Sequence, residues 1–111
     1  MRQPSFFNVL ELIEARPGIY LGWDPQHRRE QLTGLQFILL GYRLALEQHS
    51  IGTDDLNMLD ELEKFLRQRS GADNLHAIDQ IIRTSSTPDD AWDRVWTLLN
   101  EFRTLHRVGQ D

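Results

Sequence analysis

Apolar residues along this chain recur at spacings of three and four with no sustained alternation, a pattern that predicts helices and no strand. Phe6, Val9, Leu10 and Ile13 mark a first helix of about ten residues with Ser5 as a plausible N-cap. A second helix is expected from about Glu30 to Ser50, on a stripe of Leu32, Leu35, Ile38, Leu39, Tyr42 and Leu46. Phe37, Leu40 and Leu44 extend that stripe so far round that this helix is expected to be central and the most buried. Gly34 and Gly41 lie within it. Each costs about 1 kcal/mol relative to alanine, which suggests close approach of another backbone unless they are simply tolerated. Gly52 is expected to end the helix.

Thr53-Asp54-Asp55 starts a third helix, with Leu56, Leu59, Leu62, Phe65 and Leu66 as its apolar stripe and Gly71 as its end. Its outer face carries Asp60, Glu61 and Glu63, and the pairs Asp60 with Lys64 and Glu63 with Arg67 stand at i,i+4 in the favourable order. Asp73 or Asn74 would cap a short fourth helix that turns Leu75, Ile78, Ile81 and Ile82 inward, and Ser85 and Ser86 would break it. Thr87-Pro88-Asp89-Asp90 is the strongest local signal: a capping threonine, proline at the first helical position, and acids beside the positive end of the helix dipole. The fifth helix then runs to about Arg107, with Ala91, Val95, Leu98, Phe102 and Leu105 buried and Trp92, Trp96 and Leu99 on an adjacent strip. So wide a surface must be covered by the second helix or left partly open for a partner. Gly109-Gln110-Asp111 should fray. The expected fold is all-α, a single compact bundle of about five helices spanning residues 1–111.

One stretch escapes this helical account. In Glu14-Ala15-Arg16-Pro17-Gly18-Ile19-Tyr20-Leu21-Gly22-Trp23, proline halts the first helix and two glycines permit positive φ on either side of an apolar triplet. Two readings remain open. In one, Ile19 and Leu21 plug an end of the core, Tyr20 hydrogen-bonds at its rim and Arg16 binds nearby carbonyls. In the other, Arg16, Tyr20 and Trp23 form a recognition surface, because Tyr, Trp and Arg are enriched at binding hot spots. Asp24 to Arg29, with Pro25 and His27, is expected to be a plain connection.

The stretch also resembles known segments. Arg16-Pro17-Gly18-Ile19-Tyr20-Leu21-Gly22 followed by Gly34-Leu35-Gln36 looks like the opening of the ATPase domain of type II topoisomerase B subunits. There, an Arg-Pro-Gly-Met-Tyr-Ile-Gly run precedes a helix with a catalytic Glu and a magnesium-binding Asn. In register from Gly34, those positions fall on Gly41 and Ala45, and the remaining chain is too short for that fold's sheet. ATPase chemistry is therefore not carried over.

A second resemblance covers nearly the whole chain. The same motif loop of Arg16, Pro17, Gly18, Tyr20 and Gly22, a helix with Leu35, Phe37 and Gly41-Tyr42, and the closing Asp89-Asp90-Ala91-Trp92 to Trp96, Leu98-Leu99 and Glu101-Phe102 are similar to a group of small all-helical bacterial proteins. Methionine is common in that group where Ile19 stands, and residues 52 to 86 depart most from its pattern. Some members look like immunity proteins of polymorphic toxin and contact-dependent inhibition systems. The resemblance implies an all-α fold and a cognate toxin domain as partner.

Charge narrows the partner. Seventeen acids against 12 bases give a net charge of −5, which repels nucleic-acid phosphates and attracts a cationic protein. Asp54, Asp55, Asp60, Glu61 and Glu63 form a candidate anionic patch for such a toxin, with Trp23 or Trp92 as an aromatic anchor. The bland alternative for those acids is a solvated helix face.

Catalytic chemistry finds little support in the residues. The absence of cysteine removes a disulfide scaffold, a thiolate metal site and a cysteine nucleophile. His27, His49, His76 and His106 lie in four segments, and His76 with Asp79 is the sole candidate metal pair, at a spacing more common in surface hydrogen bonds. Gly18 and Gly22 lack the Lys-Ser/Thr of a phosphate loop. No apolar run approaches the roughly 18 residues of a membrane span. The expectation is a non-catalytic, cytoplasmic immunity protein without cofactor, metal, nucleic-acid or membrane partner. The alternative is a housekeeping domain that self-associates as a homodimer through the second and fifth helices.

Overall fold

A computed structural model describes residues 5–50, 53–71 and 76–107. These residues form helices without strands: α1 (Ser5–Ala15), a single turn α2 (Pro17–Tyr20), a 3₁₀ turn (Pro25–His27), α3 (Arg28–His49), α4 (Thr53–Ser70), α5 (Ala77–Thr84) and α6 (Pro88–Arg107). The all-α bundle expected from the hydrophobic spacing is the observed architecture, with α2 and the 3₁₀ turn as ordered additions.

Local chemistry sets most of the boundaries. Pro17 stops α1 and then serves as the first residue of α2, where its missing N–H costs nothing. At the start of α6, Thr87 Oγ1 accepts from the Asp90 N–H at 3.0 Å, and the Asp90 carboxylate accepts from the Ser86 N–H at 3.4 Å. Gly71 (φ 71°) closes α4 by donating to the Arg67 carbonyl at 2.9 Å.

Two other boundaries differ from expectation. α3 ends on Ser50 in the left-handed region (φ 52°, ψ 40°), before Gly52, which lies outside the described residues. α5 is capped by His76, whose Nδ1 accepts from the Ile78 N–H at 3.4 Å, so Asp73 and Asn74 do not hold that position. Those two residues, Leu75 and Gly109-Gln110-Asp111 also lie outside the described part.

α3 packs against α4, α5 and α6, and α5 packs against α4 and α6. Leu32, Leu35, Ile78, Ile81, Val95 and Leu99 are fully buried where these helices meet. An aromatic seam ties α1 and α4 to α6: Phe7 meets Phe102 edge-on at 6.1 Å, and Phe65 lies 5.4 Å from Phe102. Arg103, nearly buried on α6, adds a polar clamp by donating to Glu14 of α1 at 3.0 Å and to Asn100.

The expectation that α3 is the most buried helix fails on one side. Its inner face is central, but Phe37, Leu40 and Leu44 are 61%, 45% and 54% exposed. The bundle supplies neighbours on one flank of an apolar surface that wraps further than they reach. Leu105 of α6 is likewise exposed, and Leu98 is only half-buried. Gly34 does face another backbone, its Cβ position lying 3.7 Å from the Leu21 carbonyl oxygen. Gly41 does not, because a Cβ there would meet nothing within 4 Å.

Candidate partner-binding surface

The motif loop is built by bonds that fold it back onto the start of α3. The Arg16 carbonyl accepts from the N–H groups of Ile19 and Tyr20 at 3.1 and 3.3 Å, and the Leu21 N–H donates to Pro17 at 2.8 Å. Leu21 is buried beside Gly34, as expected of a core plug. Ile19 is not: it is 68% exposed. Gly18 sits inside the helical turn, so of the two loop glycines only Gly22 uses positive φ (70°).

Trp23 follows Gly22 into the left-handed region at φ 62°, a conformation that costs a bulky residue about 1–2 kcal/mol. The buried amide of Gln31 holds it there, with Nε2 donating to the Gly22 carbonyl at 3.2 Å and to the Trp23 carbonyl at 3.1 Å. Gln31 Oε1 accepts from Arg28 at 2.8 Å, and the Arg28 guanidinium lies 4.0 Å from the centre of the Trp92 ring. A chain of contacts thus runs from α6 through Arg28 and Gln31 to the loop.

The next residues fix the indole. Asp24 Oδ1 accepts from the Gln26 N–H at 3.1 Å and from His27 Nδ1 at 2.8 Å, capping the 3₁₀ turn. The His27 bond is the main reason the Asp24 carboxyl is held below its ordinary range, against the opposing effect of desolvation. The Trp23 ring lies 5.1 Å from the His27 ring. The segment expected to be a plain connection is therefore an ordered strut under an exposed tryptophan.

Around it the surface is apolar. Trp23 is 58% exposed, Tyr20 is exposed, and Trp23, Gly34 and Phe37 line an open depression of about 430 Å³ with Arg29, Glu30 and Thr33. Phe37 leads from there to Leu40 and Leu44 along the outside of α3. Strained backbone that the surroundings over-determine clusters at functional positions, and exposed aromatics held rigid suit recognition.

The acids chosen from sequence do not form one free patch. Asp55 is buried and accepts from the Tyr42 hydroxyl at 3.2 Å. Asp60 pairs with Arg43 of α3 rather than with Lys64, and Arg43 also bonds Glu47 at 3.0 Å. Glu63 takes Arg67 at 2.9 Å, as expected, and faces His76 Nε2 at 3.8 Å. Asp54 and Glu61 remain exposed. Trp92 is half-buried under Arg28 and 5.7 Å from Trp96, which makes it a packing residue of α6. Arg16 is exposed. His76 and Asp79 join no cluster of three or more potential metal ligands among the described residues.

Gln31 is the residue that sequence reasoning passed over. Its signal is a polar side chain in line with Leu35, Ile38 and Tyr42 at helical spacing, where the stripe calls for an apolar residue.

Comparison of the chain with protein-family models, with curated proteins and with solved structures finds no match. Among the described residues, no helix is long and apolar enough to cross a membrane.

Proposed function

We propose that this protein is a non-catalytic binding module of the immunity type, which neutralises a cognate bacterial toxin domain by covering its active site or its approach to substrate. The observation that carries the reading is Trp23, held outward in a left-handed backbone conformation by the buried Gln31 amide. A tryptophan so fixed loses little entropy on binding, which is the property of a central interface anchor. Tyr20 and Ile19 extend the contact surface, and exposed Asp54 and Glu61 add to the field of a net −5 chain, favouring a cationic toxin. The sequence resemblance to immunity-like helical proteins points the same way. Action in the cytoplasm, without metal or cofactor, belongs to this proposal.

Purification of the tagged chain from its source cells, with the retained proteins identified and the neighbouring genes read, tests the reading. Recovery of an adjacent polymorphic toxin domain in equal amount supports it. Recovery of the chain alone, with no toxin gene nearby, counts against it.

A further inference from the structure

The outer ridge of α3 is unexplained by the interior of one copy. Phe37, Leu40, Gly41 and Leu44 stand at helical spacings of three, four and seven, which puts them on one face. The three large side chains are exposed, and Gly41 makes room for no atom of its own chain. Glycine weakens a helix at such a position, so its open face calls for an occupant.

We infer that this face pairs with the same face of a second copy, the two α3 helices running antiparallel about a two-fold axis between residues 40 and 41. A two-fold interface matches a patch to itself. Phe37 then lies opposite Leu44 of the other copy, and Leu40, on an edge that the two-fold maps onto itself, stands within about 1.5 Å along the axis of its own counterpart, while Gly41 on the other edge lets the two backbones approach. Both contacts obey one axis because both are centred on the same point of the helix.

Charge fits the same arrangement. The centre line of the ridge, through Phe37, Gly41 and Leu44, carries no charged side chain, and Arg43 and Glu47, bonded to each other at 3.0 Å, lie toward its Leu40 edge, which suits association of two chains that each bear −5. Exposed Arg29 and Glu47 share one edge of the ridge. Antiparallel pairing brings Arg29 of one copy to about 8 Å, measured along the axis at 1.5 Å per residue, from Glu47 of the other, within the joint reach of the two side chains. The contact occurs twice.

The exposed apolar part of the ridge is on the order of 300 Å² per copy, well below the about 800 Å² per partner of a standard stable interface. The pairing is therefore weak and concentration-dependent. Gly34, beside the motif loop, lies on the edge shared by Gly41, so the axis sets the two Trp23 loops on one side of the pair, about 20 Å apart. The inference rests on the ridge alone and not on the identity of any toxin.

Sedimentation and disulfide trapping test it together. The weight-average mass of the wild-type chain should rise from monomer toward dimer with concentration, and Leu40→Glu should stay monomeric with an unchanged melting temperature. Because the chain lacks cysteine, introduced thiols report the register. Phe37→Cys mixed with Leu44→Cys should cross-link under mild oxidation, and Leu40→Cys should link to itself. Phe37→Cys alone should not, since like residues there stand about 10 Å apart along the axis. A mass that stays monomeric at all concentrations, a dimer that survives Leu40→Glu, or Phe37→Cys linking to itself would each overturn the pairing.

Discussion

Gln31 reaches from the first turns of α3 to the carbonyl of Trp23, eight residues earlier in the chain, at 3.1 Å. The same amide nitrogen serves Gly22, and the amide oxygen serves Arg28, so one buried side chain ties three backbone or side-chain groups. Replacing it by leucine, of similar size, removes all three bonds. Gln31→Leu should lower stability by about 2–3 kcal/mol, because loop carbonyls and a guanidinium lose their partner in a part-buried place. Urea unfolding measures the loss, and amide exchange in residues 20–24 should accelerate beyond what global destabilisation explains.

Trp23 itself should behave in the opposite sense. Trp23→Gly removes the left-handed penalty of φ 62° while giving up only an exposed ring against His27. The net effect on folding should lie between neutral and a gain of about 1 kcal/mol. Trp23→Ala keeps the penalty, so it should melt below the glycine variant. Thermal unfolding of the two side by side decides the point, and equal stability would remove the strain from the account.

Trp92 should prove structural. With Arg28 over its ring at 4.0 Å and Trp96 behind it, truncation opens the joint between α6 and the start of α3. Trp92→Ala should cost about 2 kcal/mol, roughly half the value for a fully buried tryptophan. It should reduce partner binding only through that loss of stability. Binding measured well below the variant's melting temperature should therefore be near wild type.

Alkaline pH addresses the joint between α3 and α4. The Tyr42 hydroxyl is pushed above its ordinary value of 10.0, first by burial and then by the charge and hydrogen bond of Asp55. A group whose folded pKa is raised contributes its full stability below the unfolded value and loses it as pH climbs through the folded one. Stability should thus fall above about pH 10, where the unfolded chain ionises more readily than the folded one. Tyr42→Phe should lower stability by about 1 kcal/mol at neutral pH and flatten that alkaline decline. Melting temperatures of both proteins across about pH 9 to 11.5 give the comparison.

The helices were legible because each carries its own apolar stripe and its own punctuation. Thr87-Pro88 and Gly71 mark boundaries that hold as read. What failed was whatever depended on neighbours. Phe37, Leu40 and Leu44 read as core because periodicity records how wide an apolar stripe is, not how many helices are present to cover it. Asp60 was assigned to Lys64 by the i,i+4 rule, which sees one helix, whereas Arg43 arrives from another. Gly22 announced a left-handed turn, but nothing in the sequence said that Trp23 would join it, since that conformation is stabilised by Gln31 from α3. His76 capped α5 in place of Asp73 or Asn74 because a ring nitrogen can accept the orphan N–H as a carboxylate does. The motif loop drew notice from sequence alone. Its strained core and buried support did not.

Trp23, positioned by Gln31, is the proposed anchor for a neutralised toxin. This role is tested most directly by expressing the toxin domain encoded beside this gene in a sensitive host, together with either the wild-type chain or Trp23→Gly. Wild type should protect growth and bind the purified toxin one to one. Trp23→Gly, although folded and at least as stable, should bind at least ten-fold more weakly, the loss of a hot-spot side chain, and fail to protect. Full protection by the glycine variant, or no protection by the wild-type chain, would rule out Trp23 as the toxin anchor.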